Sequence, residues 1–138
     1  MILAVIDNLV YKAIRFPGGI DMTAEEFYAM IEGNYALIQG RKWDDTKVKR
    51  FVKLFLMDES YTQLQAALEA GDVEAAFNAA HTLKGVCANI AFAKLQASAS
   101  AVTEALRAKN LEQAIELNPQ VKEDYAQHMK FIKLFVEE

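Results

Sequence analysis

The sequence has few of the residues that interrupt or cross-link a small domain. Only two prolines and six glycines occur in 138 residues, and the single cysteine, Cys87, excludes an internal disulfide. Scarce cysteine favours a reducing compartment, most simply the cytoplasm. No apolar run is long enough to span a bilayer. The apolar stretch 2–6 is interrupted by Asp7 and follows no basic residues, so it is a poor signal peptide.

Positive charge is also in deficit. Fifteen basic and nineteen acidic residues give a formal net charge of −4, which disfavours nucleic acid as a partner because phosphate backbones call for a basic surface. The chain has the length of one domain with one core. Ala, Leu, Glu, Lys and Gln are abundant, and all five favour helices. We therefore expect an all-α domain without a nucleic-acid or membrane partner.

The N-terminal part is expected to add helices to that domain. Apolar residues at helical spacing predict an amphipathic extension in residues 1–20, ending at Pro17-Gly18-Gly19. Thr23 is expected to cap the next helix. Gly33 and Gly40 predict an irregular stretch. A clearer helix then begins near Asp44 or Asp45, with the basic run 47–53 lying off its apolar stripe.

The second half of the chain shows a regular helical pattern. A helix is expected to end at Gly71, and Asp72 to cap the next one. That next helix keeps a seven-residue apolar repeat, as a bundle seam requires: Val73, Ala76, Ala80, Leu83, Cys87 and Ile90. The repeat fails at Lys94, which predicts a turn near residues 91–94. A short helix around Leu111, Ala114 and Ile115 and a last helix starting at Asn118-Pro119 complete the pattern.

Three residues on the side of the helix away from the seam, His81, Lys84 and Gly85, could together bind and carry a phosphoryl group. At 100° per residue, His81 points about 130° away from the seam, Gly85 points about 170° away, and Lys84 lies on the flank. An exposed imidazole is a nucleophile near neutral pH. A lysine one turn away supplies a point charge for a phosphoryl oxygen. A mid-helix glycine costs roughly 1 kcal/mol relative to alanine, so on an exposed face it needs a reason, such as close approach of a partner.

These residues resemble a known family. The segment Ala80-His81-Thr82-Leu83-Lys84-Gly85, followed by Ala88-Asn89-Ile90, is similar to the signature of histidine-containing phosphotransfer (HPt) domains. The likeness extends over residues 21–138, which we treat as the bundle domain. It implies an antiparallel four-helix bundle with additional N-terminal helices.

The resemblance also implies a function. His81 would accept a phosphoryl group from a receiver-domain aspartate or a histidine kinase and pass it on, Lys84 would position that group, and Gly85 would keep the surface open. The chain would then be a monomeric carrier without catalytic activity, cofactor or metal of its own. The chemistry of transfer would come largely from the acidic pocket of the partner and its metal ion.

Three departures from the family pattern keep a second hypothesis open. Val86 stands where serine often follows the glycine, Ala91 stands where a glycine is usual, and Thr103 stands where some members have a glutamine that hydrogen-bonds the active histidine. The alternative is an adaptor that docks a receiver or kinase without transferring phosphate. A helical enzyme using His81 as a general base has weak support, because no orienting carboxylate lies near it in sequence.

Other residues have less specific interpretations. Phe77, Asn78 and Ala88 form either a docking rim or an ordinary exposed surface. His128 lies near the apolar stripe of the last helix and is expected to be a packing or surface residue. Cys87 falls on the seam and reads as a core residue. The basic run 47–53 is either a solvated face or a contact for an acidic partner. The histidines and the cysteine lack the clustered spacing of a metal site.

Overall fold

The computed structural model describes residues 22–136, and all of the regular structure in that range is helical. The expected extension in residues 1–20 lies outside this range, so it and the domain boundary at residue 21 remain predictions. The described part contains seven helices: α1 (Ala24–Met30), α2 (Tyr35–Gly40), α3 (Asp45–Phe55), α4 (Ser60–Ala70), α5 (Val73–Asn89), α6 (Ala93–Arg107) and α7 (Leu111–Val136).

Helices α4 to α7 form the antiparallel four-helix bundle. Consecutive helices pack on each other, since each connection is only two or three residues long. Helix α7 returns against α4, where the Tyr61 and Tyr125 rings stack at 3.7 Å and the Gln65 and Asn118 amides exchange two hydrogen bonds of 2.8 and 3.0 Å. Helices α5 and α7 therefore lie diagonally across the bundle.

The turns follow from local residue chemistry. Gly71 adopts the left-handed conformation (φ 71°) that ends α4, and the Asp72 carboxylate accepts a hydrogen bond from the Ala75 N–H at the start of α5. The next turn occupies residues 90–92, slightly before the expected position, with Ala91 at φ 60°. Because an alanine takes the left-handed conformation that glycine usually takes, this turn contains no glycine or proline to mark it in the sequence.

Helix α1 begins with the expected cap and seals one end of the bundle. Thr23 and Glu26 form a reciprocal capping box. The Phe27 ring stacks on Phe135 with a centroid distance of 4.6 Å, and the Tyr28 hydroxyl donates to the Ile90 carbonyl at 2.7 Å. These contacts hold α1 against the end of α7 and against the turn between α5 and α6.

Two details of the sequence-based prediction are wrong. The stretch between Gly33 and Gly40 is not irregular, because Asn34 caps the short helix α2. Pro119 does not begin the last helix but lies inside α7. A mid-helix proline costs about 3 kcal/mol. The helix continues because one buried stripe passes through this point, with Ala114 before it and Val121 after it.

Across residues 22–136, each helix is too short or too polar to cross a membrane.

Candidate functional site

Helix α5 presents one face to the core and the opposite face to the outside. Its seam residues Ala76, Ala80, Leu83 and Cys87 are completely buried. His81 and Gly85 are exposed on the other face, as the helical wheel predicts. The packed seam fixes the backbone, so the exposed face is a rigid platform.

The His81 imidazole lies against an aromatic ring. Its centroid is 5.8 Å from that of Phe77, one turn earlier, and the two planes differ by 16°. No hydrogen bond joins the imidazole to another of the described residues, so the aromatic ring orients it and both ring nitrogens remain available. Phe77 therefore belongs to the surroundings of the imidazole itself, whereas the sequence placed it only on a docking rim.

Arg107 from α6 reaches the same aromatic ring. Its guanidinium carbon is 5.0 Å from the Phe77 centroid, within the range of a cation–π contact. Its Nε donates to the Glu104 carboxylate at 3.0 Å. Sequence reasoning missed Arg107. An antiparallel register counted from the turn at residue 91 would have placed residue 105 opposite Phe77 and Arg107 nearby.

Lys84 lies on the flank of α5, one turn after His81, and is half-buried. Within residues 22–136 no carboxylate lies within ion-pairing distance of its ammonium group, whereas Lys94 and Arg107 each pair with a glutamate. The Lys84 charge is therefore uncommitted in this structure and is free to meet an anion.

Gly85 has no structural role that requires glycine. A Cβ atom built at this position would meet no atom of residues 22–136 within 4 Å, and the backbone is ordinary helix. Gly33 is the contrast, because its Cβ would come within 2.9 Å of the Ala91 carbonyl oxygen. Packing within the described residues therefore requires glycine at position 33 but not at position 85.

The other two residues of the expected rim, Asn78 and Ala88, lie on the outer part of α5. Asn78 is exposed, and its carbonyl accepts a hydrogen bond from the Thr82 hydroxyl at 2.9 Å. Ala88 is half-buried. Neither side chain contacts the imidazole, so a docking role for them stays a prediction.

Two of the three departures from the family pattern, Thr103 and Ala91, have defined local structures. Thr103 is buried, and its hydroxyl donates to the Ala99 carbonyl at 2.7 Å, so it does not replace the glutamine that bonds the histidine in some HPt domains. Ala91 holds the left-handed conformation that a glycine would adopt without strain.

Cys87 is a core residue, as expected, and burial together with the nearby Asp58 carboxylate raises the pKa of its thiol.

His128 is a packing residue. Its side chain is fully buried, with its ring 5.3 Å from that of Phe92. Its Nδ1–H donates to the Asp124 carbonyl at 2.6 Å, and Nε2 has no partner among the described residues. Burial lowers the pKa of His128 to about 4, against the opposing effect of the Asp124 hydrogen bond. A neutral, enclosed imidazole is inaccessible to another protein.

No group of three or more histidine, cysteine, aspartate or glutamate side chains in residues 22–136 is arranged to hold a metal ion.

The comparison with protein-family models matches residues 54–129 to the Hpt domain. No curated protein and no solved structure matched the chain. The matched segment covers more than half of the chain, from the end of α3 to well into α7, and includes the face that carries His81. The chain therefore belongs to the Hpt domain family and takes part in two-component phosphorelay signalling.

Proposed function

We propose that this protein is a phosphoryl carrier that accepts the group on His81 and exchanges it with a receiver-domain aspartate. One observation carries the proposal. Helix α5 exposes an imidazole beside an uncommitted ammonium and a glycine that the fold does not need. The three residues share one face at i, i+3 and i+4, so one partner surface meets all of them.

In the proposed transfer step a neutral imidazole attacks an acyl phosphate, and the acidic pocket of the partner with its metal ion would stabilise the reacting phosphoryl group. The lone pair of the unprotonated ring nitrogen attacks phosphorus, and a P–N bond forms as the P–O bond to the receiver aspartate breaks. The aspartate leaves as a carboxylate. The phosphorylated imidazole keeps the proton on its other nitrogen or loses it to water. The reverse reaction returns the phosphoryl group to an aspartate.

The neighbouring residues have distinct roles in this proposal. Lys84 balances the negative charge of the phosphoryl oxygens, which are hydrogen-bond acceptors that favour a cation. Gly85 lets the partner pocket approach the backbone of α5. Phe77 holds the plane of the imidazole, and Arg107 holds Phe77. Among these residues we find no general base for an independent reaction, so we propose a carrier and not an enzyme, acting as a monomer in the cytoplasm.

The test uses receiver domains from the same genome, phosphorylated with acetyl phosphate. Each is mixed with the wild-type chain, with His81→Gln and with His128→Gln. We expect acid-labile label on the wild type and on His128→Gln, and none on His81→Gln. Equal labelling of His81→Gln would overturn the proposal.

The adaptor remains a second candidate because of the Thr103 geometry. Its hydroxyl is committed to the Ala99 carbonyl, so His81 lacks the hydrogen bond from α6 that some family members have. An adaptor would bind a receiver with equal affinity as wild type and as His81→Gln and would never become labelled. The experiment above separates the two functions when binding is measured on the same samples.

A further inference from the structure

Residues 41–53 concentrate positive charge that the proposed function does not use. Six basic and two acidic side chains give this segment a net charge of +4, which leaves −8 on the remainder of a chain whose formal net charge is −4. The basic residues are Arg41, Lys42, Lys47, Lys49, Arg50 and Lys53. Within residues 22–136 none of them forms an ion pair, although the chain is rich in carboxylates.

Four of the residues in and around α3 form an ordered group, which we call the Trp43 cluster: Arg41, Trp43, Lys47 and Phe51. The Trp43 and Phe51 rings stack at 4.5 Å with an angle of 11°. The Arg41 guanidinium carbon and the Lys47 ammonium lie 5.1 and 5.4 Å from the Trp43 ring. Stacked rings restrict both cations, so less side-chain entropy is lost when they bind an anion.

A hydrogen bond connects this cluster to the helix that carries His81. The Arg41 Nη1 donates to the Asn89 carbonyl at 2.5 Å, at the last residue of α5. His81, Gly85 and Asn89 are all exposed and follow one another at intervals of one turn. Asn89 is therefore about 12 Å from His81 along the helix axis. A standard interface of about 800 Å² per partner is roughly 28 Å across, so a protein centred on Gly85 covers both ends.

We propose that the Trp43 cluster is an electrostatic docking anchor for the receiver domain that exchanges phosphate with His81; the choice of partner rests on the proposed function. The family resemblance implies that the phosphoacceptor aspartate of the receiver lies in an acidic pocket, whose charge is complementary to that of the cluster. Arginine forms forked hydrogen bonds to carboxylates, and Trp and Arg are enriched at the energetic centres of interfaces. The negative charge on the rest of the chain opposes an extended polyanion such as a lipid surface.

An anchor of this kind acts mainly on the rate of association. Opposite charges steer a protein partner towards the correct face, and salt screens this effect over a Debye length of about 8 Å at physiological ionic strength. The rate of the transfer step itself, once the complex has formed, does not depend on the anchor.

The experiment measures association of the full chain with the receiver domains by surface plasmon resonance at low and high salt. The test variant is Arg41→Gln/Lys47→Gln. Its matched control is Lys122→Gln/Lys130→Gln, which changes the charge equally on exposed positions of α7, diagonal to α5. We expect the association rate constant of the test variant to fall about tenfold at low salt, with a much smaller fall at high salt and little change in the control. Circular dichroism checks that both variants fold.

Other outcomes overturn the anchor or separate it from the proposed function. Equal rates for the two variants overturn it, as does failure of every receiver to bind. Binding to phosphatidylserine vesicles is measured as well. If the test variant loses vesicle binding while its association with the receiver is unchanged, the cluster is a membrane contact and the anchor proposal is overturned. The association rates of both variants are also measured in a His81→Gln background, where no phosphoryl group can be accepted on His81. Association that depends on Arg41 and Lys47, without any labelling of the wild type, supports the anchor and contradicts the carrier.

Discussion

The imidazole of His81 lies nearly parallel to the ring of Phe77, with centroids 5.8 Å apart and planes 16° from each other. This relationship gives an exposed side chain a defined orientation, although no other side chain or backbone group in the described part of the chain hydrogen-bonds to either ring nitrogen. Arg107 covers Phe77 from α6, so the orientation of the His81 imidazole depends on a contact between two helices.

Replacing Phe77 with leucine tests this orientation. Leucine keeps an apolar side chain but removes the flat ring, and aromatic pairs are worth about 0.5–1.5 kcal/mol beyond their buried area. We expect the transfer rate at saturating receiver to fall by about two- to tenfold. The ring-current shift of the His81 protons should also disappear from the NMR spectrum. Glu74→Gln, one turn earlier and exposed, serves as control. An unchanged saturating rate would show that the aromatic contact is incidental.

Substitutions at Gly85 are expected to affect the stability of the fold and the docking of a partner in opposite directions. Gly85→Ala should raise the free energy of unfolding by roughly 1 kcal/mol, because alanine favours the helix and its Cβ meets no other atom. Gly85→Gln should give most of that gain and weaken receiver binding at least tenfold, because its side chain occupies the approach path. Urea unfolding and a binding titration measure the two effects. Normal binding of Gly85→Gln would contradict the proposed reason for the glycine.

Lys84 is expected to act on transfer and not on folding. Hydrogen bonds to charged groups are worth about 1.5–3 kcal/mol, so Lys84→Ala should slow transfer by about 10- to 100-fold. Stability should change by less than about 0.5 kcal/mol, since the ammonium group has no ion pair within residues 22–136. Lys122→Ala, on α7, is the matched control. Equal transfer rates for the two variants would remove Lys84 from the mechanism.

The lowered pKa of buried His128 predicts that the protein loses stability in mild acid. The unfolded state binds a proton on this imidazole below about pH 6.5, whereas the folded state binds it only below about pH 4. The folded state holds fewer protons between these values, so its stability falls as the pH is lowered through that window, by about 3 kcal/mol in total. Urea unfolding from pH 7 to pH 4 measures the slope. His128→Gln should flatten it and His81→Gln should not; a slope unchanged in His128→Gln would assign the acid sensitivity elsewhere.

Much of the candidate site was predictable because α5 obeys a simple rule. The seven-residue repeat from Val73 to Ile90 fixes which side is buried, and the opposite side then carries His81 and Gly85. The exposure of both residues is confirmed by the structure. The fold class followed from the same periodicity together with the family resemblance.

The features that the sequence did not show depend on contacts between distant elements. Pro119 reads locally as a helix start, but packing on both sides of it keeps α7 continuous. Arg107 and Phe77 meet only once α5 and α6 are in register. The burial of His128 depends on Phe92 and on the turn between these helices. The propensity and periodicity of single helices do not show such tertiary contacts. The contact of Phe77 with Arg107 emerges only when the register across the turn at residue 91 is counted.

The most direct measurement is the location of the phosphoryl group after transfer from a phosphorylated receiver. The labelled chain is digested at alkaline pH, where phosphohistidine survives, and the peptides are analysed by mass spectrometry. We expect one modified peptide, with the phosphoryl group on His81. It should be found in the digest of His128→Gln and be missing from the digest of His81→Gln. A phosphoryl group on any other residue, or an unmodified chain in the presence of a receiver that binds it, would contradict the account.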